Sequence, residues 1–327
     1  MDGFKNVLVF PYVKIYNSVD AFTHDEKGSV ITIGTFDGVH VGHKQIINKL
    51  IESAKQNNLR STIITFFPHP RMVLQKGTDL KLLSTLAEKT NLLEKLGLDC
   101  LIVQPFTKEF SRLTALEFVR DILVQKLNVK KLVIGYDHHF GRNREGSFEQ
   151  LKEYGIAYGF DIEEIPVKDI ENVAVSSTKI RTALETGNIV KANSYLGYEY
   201  TLNGTVIHGR GLGKEWNYPT INIQIDENYK LIPKSGVYVI KTTINNQQLF
   251  GIMNIGFRPT IDGKNQTIEV HLLDFNDNLY GKTISVQLAY RLRDEQKFES
   301  VQALFSQIKH DEQAARELIA RKEISFD

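Results

Sequence analysis

Cysteine is almost missing from this chain: Cys100 is the single one among 327 residues. No intramolecular disulfide can form, and no cysteine-rich metal site exists. Beside Leu101 and Ile102 the lone thiol reads as a small core residue rather than a nucleophile. Long apolar runs are missing too, since none approaches the roughly 18 residues a membrane helix needs. The first apolar stretch is short, broken by Pro11 and without a small-residue cleavage site, so no signal peptide is expected and the cytoplasm is the expected location. An excess of one charge is likewise lacking: 40 Lys+Arg stand against 39 Asp+Glu, a formal net charge of +1. That balance argues against a dedicated nucleic-acid binder, which shows a basic excess or stripe, while leaving room for a local phosphate pocket. There is no repeat and no low-complexity tract.

What remains is an ordinary globular composition, 42% hydrophobic and 24% charged, in a chain long enough for two domains. The first half alternates strand-like and helix-like segments. Strands are expected at residues 30–33, 61–67, 100–103, 131–134 and 161–167, with helices at 43–56, 88–96, 115–127, 148–158 and from 178. Such alternation predicts a parallel sheet covered on both faces. After about Gly187 the character changes. Short strands at 201–207, 220–225, 237–244, 248–254, 267–273 and 283–290 are separated by turn signals such as Asn245-Asn246 and Asp262-Gly263. They predict a small antiparallel barrel, closed by a helix over about 300–322. Residues 187–198 read as the junction.

Between the first strand and its helix stands Gly34-Thr35-Phe36-Asp37-Gly38-Val39-His40-Val41-Gly42-His43. Ligands of open α/β sheets bind beyond the carboxyl ends of strands. Gly34, Gly38 and Gly42 let the backbone approach a ligand, and the helix start offers N–H groups to phosphate. His40 and His43, three apart, can face the same way and donate to phosphate oxygens as charge builds. The stretch is neither a GxxxxGK[ST] loop nor a GxGxxG fingerprint. It matches the HxGH signature of the nucleotidyltransferase superfamily. Ser176, Ser177, Thr178 and Arg181 open the last helix of this half, where hydroxyls beside a cation suit a triphosphate. His69, between Pro68 and Pro70, and Asp137, in Gly135-Tyr136-Asp137-His138-His139-Phe140-Gly141, follow two further strands.

The second half opens with Gly209-Arg210-Gly211-Leu212-Gly213-Lys214, a glycine flap with two cations that can wrap phosphates. Pro219-Thr220-Ile221-Asn222 follows. Thr220 and Asn222, two apart on a strand, present oxygens to one face, and these are hard ligands suited to Mg²⁺ with phosphate. Taken alone, the pair reads more readily as two strand polar groups facing water. Glu269 and His271 share a face of Thr267-Ile268-Glu269-Val270-His271-Leu272. A carboxylate there can take the proton of an attacking hydroxyl, although it can equally be a solvated strand residue.

The four pieces of the first half together resemble the FMN adenylyltransferase module of bacterial bifunctional riboflavin kinase/FAD synthetases, over about residues 15–185. The second half, over about 187–320, is similar to the riboflavin kinase module: PTxN, Asn254-Ile255-Gly256, the Glu269 strand, Leu279-Tyr280-Gly281 and Arg291-Leu292-Arg293 follow in the expected order. The resemblance implies an α/β Rossmann-like nucleotidyltransferase domain at 1–186, then a β-barrel kinase domain with a C-terminal helix at 187–327. It implies that the kinase turns riboflavin and ATP into FMN and ADP, and that the transferase turns FMN and ATP into FAD and diphosphate. His40, His43, Arg181 and Glu269 would be catalytic. Gly34, Phe36, Asp37, Gly38, Gly42, His69, Asp137, Ser177, Thr178, Gly209, Arg210, Gly213, Lys214 and Arg291 would bind nucleotide or flavin, and Thr220 and Asn222 would hold Mg²⁺ with ATP. The implied partners are ATP, riboflavin and FMN, with no nucleic acid and no membrane, and the implied assembly is a monomer or weak homo-oligomer. The sequence departs from the family at His139, at Trp216-Asn217-Tyr218 and at Ile221. Rival readings are a class I aminoacyl-tRNA synthetase fragment, which shares HxGH but would need a KMSKS-like loop, another HxGH nucleotidyltransferase, and a flavin-storage module, which would need neither base nor histidines.

Overall fold

Ser29–Ile33 (SVITI) is buried at every position, as a strand covered on both faces must be, and it forms an inner strand of a parallel sheet. The computed structural model describes residues 12–23, 27–75, 77–135, 140–165, 175–208, 218–260 and 263–326. Within it the chain divides into two compact units, Met1–Val175 and Ser176–Asp327.

The first unit contains β1 (Lys14–Tyr16), β2 (Ser29–Ile33), α1 (Val41–Gln56), β3 (Arg60–Phe67), α2 (Pro70–Leu74), α3 (Leu86–Lys95), β4 (Cys100–Pro105), α4 (Ala115–Glu117, continuing as a π-helix over Phe118–Lys126), β5 (Val129–Gly135), α5 (Phe148–Tyr158) and β6 (Asp161–Ile165). The strand order is β1-β4-β3-β2-β5-β6, and every pair is parallel. One core cluster packs α1 and α3 on one face through Ile47, Leu50 and Leu93. The other packs the 115–127 segment and α5 through Phe118, Val119, Leu123 and Leu151. From β2 the chain winds outward through β3 and β4 on one side, and through β5 and β6 on the other. The turn after β2 therefore sits at the topological switch point, where open α/β sheets bind ligands. β1, which the residue pattern did not announce, pairs with β4 from Lys14↔Cys100 to Tyr16↔Ile102.

The second unit begins with α6 (Ser177–Glu185) and α7 (Ile189–Leu196). A closed barrel follows, made of β7 (Tyr200–Ile207), β8 (Ile221–Gln224), β9 (Gly236–Ile244), β10 (Gln247–Thr260), β11 (Gly263–Leu272) and β12 (Thr283–Arg293), ordered β10-β11-β8-β7-β12-β9. Alternation puts Leu202, Val206, Met253, Val270 and Val286 inside, all buried. The last helix, α8 (Val301–Ala320), lies on the outer face, where Ala315 and Leu318 meet Val239 and Ile252. A bidentate Arg293–Asp311 pair (2.7 Å) anchors it to β12. The stretch 187–198, expected as a plain junction, contains α7, capped by the Asn188 side chain on the Lys191 N–H (3.2 Å). The units part at 175/176 rather than at 186/187. The reason lies in α6: the Leu184 carbonyl accepts from the Lys234 N–H (3.0 Å), which ties the helix to the barrel's unit.

Candidate functional site

The turn between β2 and α1 is strained. Phe36 (φ 44°) and Val39 (φ 37°) both take positive φ, which a β-branched residue tolerates worst. Gly38 (φ 80°) occupies the one such position where a glycine is at ease. Strain of this kind persists only where the surroundings over-determine it, and here they do. Phe36 and Val39 are buried in the cluster of Ile47, Leu50 and Ile63. The Asp37 carboxylate accepts from the N–H groups of Leu83 (2.9 Å) and Ser84 (3.2 Å). The Gly38 N–H donates to Ser84 Oγ (3.2 Å). The Thr35 carbonyl accepts from Lys89 Nζ (2.7 Å) and Thr65 Oγ1 (3.1 Å). A Cβ on Gly34 would lie 3.0 Å from the Phe36 ring, so glycine is what lets that ring fold back.

His40 caps α1: its Nδ1 accepts the His43 N–H (3.3 Å). That bond requires a lone pair on Nδ1, so the neutral ring keeps its proton on Nε2. The two imidazoles stack, with centroids 3.6 Å apart and planes at 18°, and Phe36 stands edge-on to His43 at 5.2 Å. Burial, then the charges of His40 and Lys89, hold the His43 pKa well below the ordinary imidazole value. His43 is thus a neutral ring at pH 7 with one N–H to give, and its Nδ1 is buried with no partner. No acidic residue stands in the first turn of α1 to offset its positive end. The two stacked imidazoles, with His43 buried and neutral, stand beside a helix N-terminus, an arrangement suited to an anion that gains charge during reaction.

His69 lies at the same end of the sheet, after β3, and caps α2 by accepting the Arg71 N–H at Nδ1 (3.1 Å). Two expected binding residues prove to face inward: Phe36 and Asp37 are only 3% and 2% exposed. Their contacts hold the turn: the Phe36 ring packs in the core, and the Asp37 carboxylate takes the N–H groups of Leu83 and Ser84. Asp137, Gly209, Arg210, Gly213 and Lys214 lie outside the described residues, as do His139, Trp216 and Asn217. Ser176 caps α6 by accepting the Lys179 N–H (3.3 Å). Ser177 and Thr178 follow in its first turn, and Arg181 is buried on its inner face. All of these belong to the second unit.

In the barrel, register places Glu269 opposite Asn222 on β8 and opposite Asn254 on β10. Cross-strand partners bring their Cβ atoms to about 5 Å. Glu269, Asn222 and Asn254 therefore form a polar row on the outer face, above inward-facing Ile221, Ile268 and Val270. Thr220 is two residues from Asn222 and lines a cavity of about 240 Å³ with Ile221, Leu272, Asp277 and Tyr280. A second cavity, about 420 Å³, opens towards α8 and is lined by Tyr218, His271, Asp274, Lys309, Glu312 and Arg316. Pro219, Leu272, Phe275 and Asn276 line both and form the shared wall. His271 fastens that wall by donating from Nδ1 to the Pro219 carbonyl (2.9 Å). Glu269 and Asn222 line neither of these two cavities. Arg316 forks onto both Asp274 oxygens (2.9 and 3.0 Å) and holds that carboxyl below its ordinary range. In the second unit Arg291 Nη2 donates to the Ser235 carbonyl (2.7 Å) and Asp294 (2.6 Å), and Nε to the Tyr238 hydroxyl (3.3 Å).

The FAD synthetase family model matches residues 22–179, and the riboflavin kinase family model matches residues 196–319. The bifunctional riboflavin kinase/FMN adenylyltransferase of Escherichia coli K12 is 39% identical over 293 residues, covering 89% of this chain and 93% of its own. The chain belongs to the bifunctional riboflavin kinase/FMN adenylyltransferase family. The enzyme of the same description from Listeria monocytogenes is 38% identical over 296 residues, covering 90% of this chain and 93% of its own. A solved structure from Streptococcus pneumoniae, described as a macrolide-efflux protein, superposes with a TM-score of 0.82 at 30% identity, covering 93% of this chain and 99% of that one. No helix among the described residues of this chain is long and apolar enough to cross a membrane. This member of the bifunctional family thus carries an FAD synthetase domain followed by a riboflavin kinase domain. It makes FMN from riboflavin and ATP, and FAD from FMN and ATP.

The residue pattern missed Lys89 in this bifunctional enzyme. It is 6% exposed, and burial lowers its pKa from 10.5 to about 8, against the opposing pull of Asp37. The signal was present: Lys89 falls between Leu86 and Leu93 at helix spacing, where the inner face calls for an apolar residue. A shift of that size is about 3 kcal/mol of stability forgone while the folded group must stay charged. With the folded pKa below the unfolded one, the unfolded chain holds more protons between about pH 8 and 10.5. The penalty is therefore complete below 8 and fades as pH rises. We expect Lys89→Met to be more stable than the parent at pH 7, by an amount that shrinks from pH 8 towards 10. Urea titrations of both proteins at several pH values check this, and a gap that widens with pH would contradict it.

Proposed function

We propose that adenylyl transfer is carried by His40 and His43. In FAD formation an FMN phosphate oxygen attacks the α-phosphorus of ATP, the new P–O bond forms, and diphosphate leaves with the electron pair of the broken bond. Charge on the phosphoryl oxygens grows on the way, and donors that wait already oriented answer it without reorganising. The single observation behind this reading is the stacked, desolvated pair at the N-terminus of α1, with the His40 proton assigned to Nε2 by its capping bond.

For the kinase half the reading is that Glu269 takes the proton of the ribityl hydroxyl as the bond to the γ-phosphorus forms and ADP leaves. Its place beside Asn222, with Thr220 two residues on, supports this. Thr220 and Asn222 supply two neutral oxygens, and among the described residues no group of three or more His, Cys, Asp or Glu is placed to hold a metal. Such a pair suits an Mg²⁺ that arrives on ATP phosphates rather than one resident in the protein. The cavity lined by Thr220 is the phosphate side. The larger one, with Tyr218 and Phe275 beside the Arg316 fork, suits a flat flavin ring. ATP as the common substrate of both halves is in keeping with a cytoplasmic enzyme.

The division at 175/176 makes a further expectation. A fragment of residues 176–327 retains α6 and its bond to Lys234, and should fold and convert riboflavin to FMN while making no FAD. A fragment of 188–327 lacks α6 and should melt at lower temperature. Circular dichroism melts and a riboflavin phosphorylation assay check both, and a folded but inactive 176–327 fragment would mean that the halves depend on each other.

A further inference from the structure

We propose that Lys89 is a positioning residue for adenylyl transfer: its buried ammonium clamps the Thr35 carbonyl and so holds the strained turn that presents His40 and His43. This rests on the reading of the two histidines as the phosphate donors. Lysine is almost never buried without a charged partner. Yet Lys89 Nζ bonds neutral oxygens, the Thr35 carbonyl at 2.7 Å and Thr65 Oγ1 at 3.4 Å. Asp37 acts on it only through space. A leucine or methionine at this place on α3 would continue the apolar face of Leu86 and Leu93.

What the ammonium achieves is local. Thr35 precedes Phe36, the first residue forced to positive φ. Fixing the Thr35 carbonyl fixes the peptide plane from which that turn departs. The remaining tethers come from the same quarter: Leu83 and Ser84 hold Asp37 and Gly38 from the segment just before α3. The segment 83–89 is thus a frame against which the turn is pressed, and Lys89 is its cationic member. The same charge is among the causes that keep His43 neutral. The position therefore serves geometry and protonation of the donor together. A residue kept at a cost to stability, at the base of a strained turn, is expected where function needs the turn.

The test uses the whole chain with Lys89→Met, His43→Ala and the double variant. FAD formation from FMN and ATP and FMN formation from riboflavin and ATP are measured on the same preparations. Lys89→Met should lower kcat for FAD formation by roughly 10- to 100-fold, with KM for ATP within about twofold. Its kinase rate should equal the parent's and its thermal midpoint should be no lower. Because Lys89 acts partly through His43, the double variant should lose less than the product of the two single losses. Parental FAD formation in Lys89→Met would overturn the proposal. So would a loss shared by the kinase or joined to a lower melting point, since Lys89 would then merely hold the fold, and so would additive losses in the double variant. Failure of the underlying reading is separate, because it would appear as parental FAD formation in His43→Ala itself.

Discussion

Glu269→Gln is expected to lose roughly 10²–10⁴-fold of riboflavin kinase activity, the usual contribution of a general base. The substitution keeps the volume of the side chain and its place between Asn222 and Asn254, but not its basicity. A ribityl hydroxyl is a poor nucleophile at neutral pH, and the carboxylate helps by accepting its proton as the new bond forms. Mg-ATP binding should survive, because Thr220 and Asn222 are untouched. FAD formation from supplied FMN should run at the parental rate, because that chemistry belongs to the other domain. Near-parental kinase activity would leave Glu269 as a strand residue only. Equal loss of both activities would mean damage to the whole protein.

His43→Ala should lower FAD formation by about 10²-fold or more, with little change in KM for ATP, because a donor that meets developing charge acts mainly in the transition state. The substitution removes one member of the stack but leaves the backbone N–H that His40 accepts, so α1 keeps its cap. Steady-state assays with FMN and ATP read both parameters. A rise in KM with kcat unchanged would instead make His43 a uniform binding residue. Parental kinetics would remove it from the site.

Several of these features were legible without coordinates. Gly34, Gly38 and Gly42 around His40 and His43 announce a turn between strand and helix, and the two rings do lie together. The strand–helix alternation and then six short strands announce a parallel sheet and a barrel, and both are present. What stayed hidden depends on partners far along the chain. Asp37 in a glycine-rich turn looks like a ligand, yet it serves the N–H groups of Leu83 and Ser84, 46 and 47 residues away. Arg291 reads as a phosphate cation, and the bonds that place it go to nearby Asp294 and to Ser235 and Tyr238, far back along the chain. β1, three residues long, is too short for any period to show and exists because β4 has a free edge for it. Eight-residue α7, with Ile189, Ala192 and Leu196 as its buried stripe, is hidden beside a turn-rich stretch for a similar reason. Lys89 was passed over because a lysine reads as solvent-facing, although its helix spacing with Leu86 and Leu93 places it on the inner face.

The most direct test of the division of labour is one assay on three proteins. Parent, His43→Ala and Glu269→Gln are each given ATP with either riboflavin or FMN, and the flavins are separated by chromatography. Two sites in two domains predict that the parent carries riboflavin through to FAD. His43→Ala should stop at FMN from riboflavin and make almost no FAD from either substrate. Glu269→Gln should make almost nothing from riboflavin but FAD at the parental rate from FMN. If instead either single variant loses both steps while remaining folded, the two reactions share machinery and the account of two independent sites is wrong.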